Sequence, residues 1–329
     1  MPFVFKPNRR FALLASACSA IEFAAKPVFA QSWPERPIKL IVPYVAGGAA
    51  DQTARLIAAP LGERLKTQIV IDNRPGGGGS IGAAAVAKSA PDGYTLLLDA
   101  TGYTVNPSLL PRMPFDAARD LAPVSLLMQV PMLLVVPAAS PYQTLADLLK
   151  AARSQPGKLS FASAGNGSAQ HLAGELFKQG QKIFITHIPY RGGAPALNDL
   201  MAGQVDLMFS AIPACYPLVK GGKLRALAVT SPQRSDLLPA LPTLAESGLP
   251  GFVAQEWNGL WAPAGTPRPV LARLEADIQA VMALPDVRAR LAANGAQAIG
   301  GSSQDFTRFV QDQTRQWAGV IKTAGITLD

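Results

Sequence analysis

Few residues of this 329-residue sequence stand at spacings that could do covalent chemistry. Gly77-x-Gly79-x-x-Gly82 followed by Asp99 matches a dinucleotide-binding fingerprint on spacing alone. Asn73-Arg74-Pro75 separates those glycines from the preceding apolar run, so the tight strand-to-helix turn of the fingerprint is missing and a flexible rim loop is the competing reading. No Lys-Ser/Thr pair follows the glycines, which removes a Walker phosphate loop. Ser168 and His171 are three residues apart but lack the Gly-x-Ser-x-Gly elbow that exposes a nucleophile, so Ser168 reads as a helix N-cap. His171 and His187 are the two histidines, with no cysteine or carboxylate at metal-ligand spacing, so no metal is expected. Of the two, His171 is the better ligand candidate, one turn inside a helix that follows a glycine loop. Arg191, in Pro189-Tyr190-Arg191-Gly192-Gly193, either meets an acidic ligand or is a surface arginine. Asp206 is either a buried cap or a hydrogen-bond acceptor that helps two lobes close. No paired carboxylates and no activated nucleophile emerge. The chain reads as built to hold a ligand, not as an enzyme, and no cofactor is expected.

The elements that must position such a ligand are legible from pattern. Residues 38–43 form a short β-branched run, followed by a loop, Tyr44, Val45, Ala46, Gly47 and Gly48, and a helix opening at Asp51. Gly47 and Gly48 permit a tight turn and a close approach, Asp51 can cap, and the first-turn N–H groups favour an anion. Strand 68–72, a glycine loop, a helix from Ser80 and strand 94–98 complete a βαβαβ series, which predicts a parallel sheet. Thr101 and Gly102 end the third strand at the edge of the first loop. Residues 122–137 read as an extended crossing segment. A second α/β series follows, with helix 144–154 opened by a Thr144/Asp147 capping box, strand 158–163, the loop Ala164, Gly165, Asn166, Gly167 and Ser168, and helix 169–180. Strands 184–189, 205–210 and 224–230, helix 194–203, a return crossing at 257–263 and three C-terminal helical stretches complete the reading. The last stripe, with Phe306, Phe309, Val310, Trp317 and Ile321, predicts a helix packed on the first unit. Two glycine loops at strand ends and two crossings between halves imply an α/β protein of two lobes around a cleft.

Composition fits a compact, loop-rich α/β chain: 49% hydrophobic, 16% charged, with 29 Gly and 29 Pro. Lys6, Arg9 and Arg10 precede an apolar run, and Val28-Phe29-Ala30 offers a cleavage site, so residues 1–30 read as a secretory signal peptide cleaved near Ala30. Export is by the Sec route or, through Arg9-Arg10, the twin-arginine route; Cys18 is a weak lipidation site. Beyond the leader no apolar run reaches ~18 residues. Without the leader, 26 basic and 21 acidic residues remain, scattered and without aromatic interleaving, so nucleic acid is not an expected partner. Cys215 is then the single cysteine, a small core residue with no disulfide to make.

The strings WPERPIKLIVPYVAGGAADQTARL, IVIDNRPGGGGSIGAAAVAKSAPDGYTLLL, SFASAGNGSAQHLAGELFK, THIPYRGGAPALNDLMAGQVDLMF and LPTLAESGLPGF resemble, in order and over essentially all of the mature chain, the Bug family. These are the TctC-type extracytoplasmic receptors of tripartite tricarboxylate transport systems. The resemblance implies a Venus-flytrap periplasmic binding protein of type II-like architecture, each lobe a mostly parallel sheet flanked by helices. It implies lobe 1 from residues 31–135 plus 254–329 and lobe 2 from 136–253. It implies a monomer that captures a small organic acid, amino acid or related carboxylate and passes it to a large and a small permease subunit. The family places a ligand carboxylate near the loop Tyr44, Val45, Ala46, Gly47 and Gly48 with Asp51 behind it. The facing wall would come from Thr101, Gly102, Ala164, Gly165, Asn166, Gly167, Ser168, His171, Tyr190, Arg191 and Asp206. An extracytoplasmic sensor feeding a two-component system is the alternative, and a secreted dinucleotide-dependent enzyme the second.

Overall fold

The computed structural model describes residues 1–2 and 33–327; the expected leader, with Cys18 and Ala30, lies outside the described residues. The chain opens with β1 (Ile38–Val42), α1 (Ala49–Leu65), β2 (Ile69–Asn73), α2 (Ser80–Ala87), β3 (Thr95–Ala100) and α3 (Gly102–Leu109). β1 pairs in parallel with both β2 and β3, as strands joined by crossover helices must when the helices cover the sheet. Gly48, not Asp51, occupies the N-cap of α1, and it makes no side-chain cap bond. Pro107 inside α3 disguised that short helix in the sequence, where residues 101 and 102 read only as the end of a strand.

β4 (Leu121–Pro137) runs for 17 residues and is buried along most of its length, because both of its faces are covered. After it come α4 (Leu145–Ser154), β5 (Ser160–Ser163), α5 (Ala169–Gln181), β6 (Thr186–Pro189), α6 (Gly193–Met201), β7 (Leu207–Ala211), α7 (Ile212–Lys220) and β8 (Leu224–Val229). The expected capping box is present at α4, where Asp147 N–H donates to the Thr144 hydroxyl and the Asp147 carboxylate accepts from Thr144 N–H. β5 pairs in parallel with β6 and β7. The chain then returns through β9 (Gln255–Pro263) and ends with α8 (Arg268–Ala283), α9 (Pro285–Ala293), β10 (Gln297–Ala298) and α10 (Ser303–Ala324).

The strand order is β2-β1-β3-β9-β4-β7-β5-β6, with β8 and β10 also bonded to β4. β4 changes partners midway. Its residues 121–131 run antiparallel to β9, whereas 132–137 run antiparallel to β7 and β8. The result is an α/β fold of two packed units joined through one curled sheet, with helices on its faces.

α10 departs from expectation. Its start packs on the first unit, where Phe306 meets Trp257 and Trp261 at ring-centroid separations of 6.1 and 4.7 Å. Trp317, Val320 and Ile321 join the apolar cluster of Leu148, Phe161 and Phe177 in the second. A helix of 22 residues spans about 33 Å, long enough to reach both cores, and a stripe of period 3.6 carries no information on which core each turn meets. The seat of Phe306 is made by Gly259, where a Cβ would stand 2.1 Å from the ring. Phe306→Ala is expected to cost about 3–5 kcal/mol, read from urea unfolding, because the cavity is walled by rigid indoles.

Candidate ligand-binding site

The C-terminal ends of β1, β3 and β5 carry the loops expected to meet a ligand. Val45, Ala46 and Gly47 are exposed, with Val45 64% accessible at the tip, and Gly47 holds φ +82°, a conformation that favours glycine. Asp51 lies behind this loop and is 1% exposed. One carboxylate oxygen accepts the N–H of Gly47 and Nε of Arg55, both at 2.8 Å, and the other accepts Asn73 Nδ2 at 3.0 Å. Asn73 also donates to the Tyr44 carbonyl at 3.1 Å. The Arg55 hydrogen bond, with those from Gly47 and Asn73, holds the Asp51 pKa at about 2 against the penalty of burial. Asp51 is therefore neither a cap nor a ligand contact, but the anchor that shapes the loop. Arg55, bonded to it, is not a spare cation.

The floor is built by Tyr44 and Asp99. Tyr44 OH donates to Asp99 Oδ1 at 2.8 Å, and the same oxygen accepts Ala100 N–H at 2.7 Å. Asp99 is 1% exposed, and burial raises its pKa to about 7 despite these two bonds. Burial and then the Asp99 charge push the Tyr44 phenol well above its ordinary range. Gly102 opens α3 against this pair; a Cβ there would stand 2.9 Å from Tyr44 OH and 2.8 Å from the Gly78 carbonyl. Thr101 beside it is 8% exposed, and its hydroxyl is buried without a hydrogen-bond partner. The glycines at 77–79 form a single 3-10 turn, with Arg74, Pro75 and Gly76 between it and β2. Asp99, the acid of the dinucleotide spacing, is buried against Tyr44, so that geometry is not assembled.

On the second wall, Ser168 caps α5 as expected, its hydroxyl accepting the N–H of His171 at 3.3 Å. Gly167 N–H donates to His171 Nδ1 at 3.1 Å, and Gly165 N–H to the Ser163 hydroxyl at 3.1 Å. His171 is 5% exposed and stacks on His187, with ring centroids 3.7 Å apart and planes 10° from parallel. His187 Nε2 lies 2.7 Å from the Ser163 hydroxyl, and burial, followed by the proximity of His171, lowers its pKa to about 4. The histidine expected to face the ligand thus lies under the loop and props it. Ala164, Gly165, Asn166, Gly167 and Ser168 are half-buried. The amides of Gly165 and Gly167 are bonded inward, and the first-turn amides of Ala49, Ala50 and Asp51 in α1 and of Ala169 and Gln170 in α5 have no intrahelical acceptor.

The fold also fixes where Asp206, Tyr190 and Arg191 stand. Asp206 precedes β7 and accepts Ser160 N–H at 2.8 Å and its hydroxyl at 3.0 Å, where β5 begins. That is the opposite edge of the sheet from the loop after β5, because parallel strands put all their C-terminal ends together. Tyr190 OH donates to Asp199 at 2.8 Å, so only its backbone borders the loop. Arg191 is exposed on the rim. Cys215 is fully buried, and burial pushes its thiol up to about 12. One contact was not foreseen: Gln170 Nε2 of α5 donates to Glu256 Oε1 of β9 at 2.9 Å. An acid next to the buried Trp257 at the start of the return strand was the signal available.

A cavity of about 580 Å³ runs along Ala49, Gln52 and Thr53 of α1, Val130 of β4 and Pro213 of α7. Two larger ones, about 870 and 760 Å³, lie on α4 and between α3 and α10, and share no residue with the strand-end loops. Among the described residues no cluster of His, Cys, Asp and Glu could hold a metal, and no helix is long and apolar enough to cross a membrane.

Two helix N-termini behind strand-end loops, on two units that share a sheet, define a solute-binding protein of the two-lobed α/β class. Residues 53–326 match the model of the tripartite tricarboxylate transporter family receptor, and the chain belongs to that family, the TctC or Bug-type receptors. It is 41% identical over 315 residues to a UPF0065 protein from the tcbD-tcbE intergenic region of a Pseudomonas species, covering 95% of this chain and 94% of that one. It is 39% identical over 306 residues to Protein BugT of Bordetella pertussis, covering 92% and 94%. Among solved structures, R. palustris Rpa4515 with adipate superposes with a TM-score of 0.78 at 41% identity, over 90% of this chain and all of that one. MatC from Rhodopseudomonas palustris with bound malate gives 0.74 at 34% identity, over 88% and 99%.

The raised pKa of Asp99 sets a pH dependence. Native protein holds this proton up to about pH 7, whereas the unfolded chain releases it near pH 4, so the contribution is intact at low pH and lost as pH rises between those values. Asp99→Asn keeps an acceptor for Tyr44 and Ala100 and removes the titration. Its stability relative to the parent is expected to improve from pH 4 to pH 7 and then level off, as read from denaturant midpoints.

Proposed function

We propose that the protein is an extracytoplasmic receptor that captures a small carboxylate in the cleft and delivers it to the large and small membrane subunits of a tripartite transporter. One observation carries this reading: α1 and α5 begin behind strand-end loops of the two units, each with first-turn N–H groups left for an anion. The adipate and malate named for the two solved relatives are small carboxylates of the size such a site would take. The family and its neighbours are receptors, and the candidate chemistry of the sequence resolves here into residues that hold backbone in place.

In this reading the ligand meets Tyr44, Val45, Ala46, Gly47 and Gly48 on one side and Thr101, Gly102, Ala164, Gly165, Asn166, Gly167 and Ser168 on the other. The lobes are residues 31–135 plus 254–329 and 136–253, with the last turns of α10 docked on the second. They close by bending where β4 changes partners and where β9 returns. The protein acts as a monomer in the periplasm, after export on its N-terminal leader.

A thermal-shift panel of di- and tricarboxylates, acidic amino acids and aromatic acids, with NAD as a control, tests the reading. An acid at 100 times its Kd should add roughly 2.7 kcal/mol of stability, a shift of several degrees. No shift with any acid would overturn the proposal, and a shift with NAD alone would favour the cofactor alternative. Thr101→Val separates binding from folding. Removing a buried, unpartnered hydroxyl should leave the unliganded protein as stable or more so, while weakening the acid about tenfold by calorimetry if the hydroxyl serves the ligand.

A further inference from the structure

The strand-end loops account for the anionic end of a ligand but not for Glu256. In β9 this acid follows the buried Gln255 and precedes Trp257, whose ring packs against Phe306 and Phe309. Strand alternation puts Glu256 on the opposite face from Trp257 and on the same face as Asn258. Asn258 accepts the Thr53 hydroxyl of α1 at 2.9 Å and donates to the Asp99 carbonyl at 3.4 Å. From the other wall, Gln170 in the first turn of α5 reaches Glu256 Oε1 at 2.9 Å. Glu256 therefore stands on the strand that ties the two units together, bonded to the first turn of α5 and two residues from the Asn258 contact to α1.

Gln170 is its sole hydrogen-bond partner among the described residues, and the side chain is half-buried, so one carboxylate oxygen remains for a donor. Withdrawal from water pushes the pKa of Glu256 up, a penalty that a bound donor would offset. Among the described residues at these loops, the two cations are placed as follows. Arg55 is bonded to the buried Asp51, and Arg191 is exposed on the rim.

We infer that Glu256 is a specificity residue, selecting a carboxylic acid that bears an N–H donor at its other end over the plain dicarboxylate of the same length. The ligand class is the amino acid, ω-amino acid or half-amide. A ligand carboxylate on the helix amides would leave its second group facing Glu256, which an N–H satisfies and a second carboxylate repels. The inference rests on the receptor reading of the cleft.

Isosteric pairs test it by isothermal titration calorimetry on the purified protein: succinamate against succinate, glutaramate against glutarate, and adipamate against adipate. In each pair that binds, the amide is expected to be at least about tenfold tighter. Glu256→Gln, nearly isosteric, should shrink that preference to threefold or less, whereas Gln170→Ala should retain it, with circular dichroism confirming both folds. Should Glu256→Gln fail to fold, the paired ligands decide on the parent protein alone. Dicarboxylates that bind as tightly as their half-amides would overturn the inference while leaving the receptor standing. So would a preference that survives Glu256→Gln. Silence from both members of every pair would remove the receptor reading, and this inference with it.

Discussion

The ladder of β4 is the constraint on which the other contacts depend. One strand of 17 residues serves two sets of neighbours, and the exchange occurs between Pro131, opposite Gln255, and Met132, opposite Ala211. Proline has no N–H to give, so the ladder is thinnest at that point. Thr230 closes the gap: its hydroxyl accepts Met132 N–H at 2.8 Å, its own N–H donates to the Met132 carbonyl at 2.9 Å, and its carbonyl accepts Ala254 N–H at 3.3 Å. The two crossings are thereby bonded to one another beside a weak rung, which gives the proposed closure its pivot. Glu256 pairs with Val130 one step from it, so a group bound to Glu256 would sit next to the axis of bending.

Around this seam most buried polar groups hold backbone. Asp51 fixes the first loop, the Tyr44–Asp99 pair fixes the ends of β1 and β3, and the stacked histidines with Ser163 fix the second loop. Each is satisfied internally, as buried polar atoms must be. In the proposed reading, recognition is left to main-chain amides at the helix starts, an arrangement that supplies an anion site without a bound cation and leaves almost no side-chain signature. The unpartnered Thr101 hydroxyl and the second oxygen of Glu256 are departures from that economy.

Local order was largely legible in the sequence because it is governed by local rules. The runs at 38–43 and 122–137, the glycine turns, the Thr144/Asp147 box and the Ser168 cap each depend on neighbours a few residues apart, and the α/β alternation implies parallel pairing. Recurrent strings brought the family and the general place of the cleft within reach. What the side chains do was less legible. His171 and Asp51 lie behind the two strand-end loops but are buried in contacts to backbone and side chains, and Asp206 lies at the other end of its sheet.

Tertiary structure alone decided those roles, because the deciding partners are remote in sequence. Whether Asp51 faces a ligand depends on Asn73, and whether Asp99 is a cofactor acid depends on Tyr44. The reach of α10 into both cores depends on where Gly259 and Phe177 come to rest. The Gln170–Glu256 contact joins α5 to β9 between residues 86 apart in the chain. Hydrophobic period determines which face of an element turns inward; only the packed chain determines what that face meets.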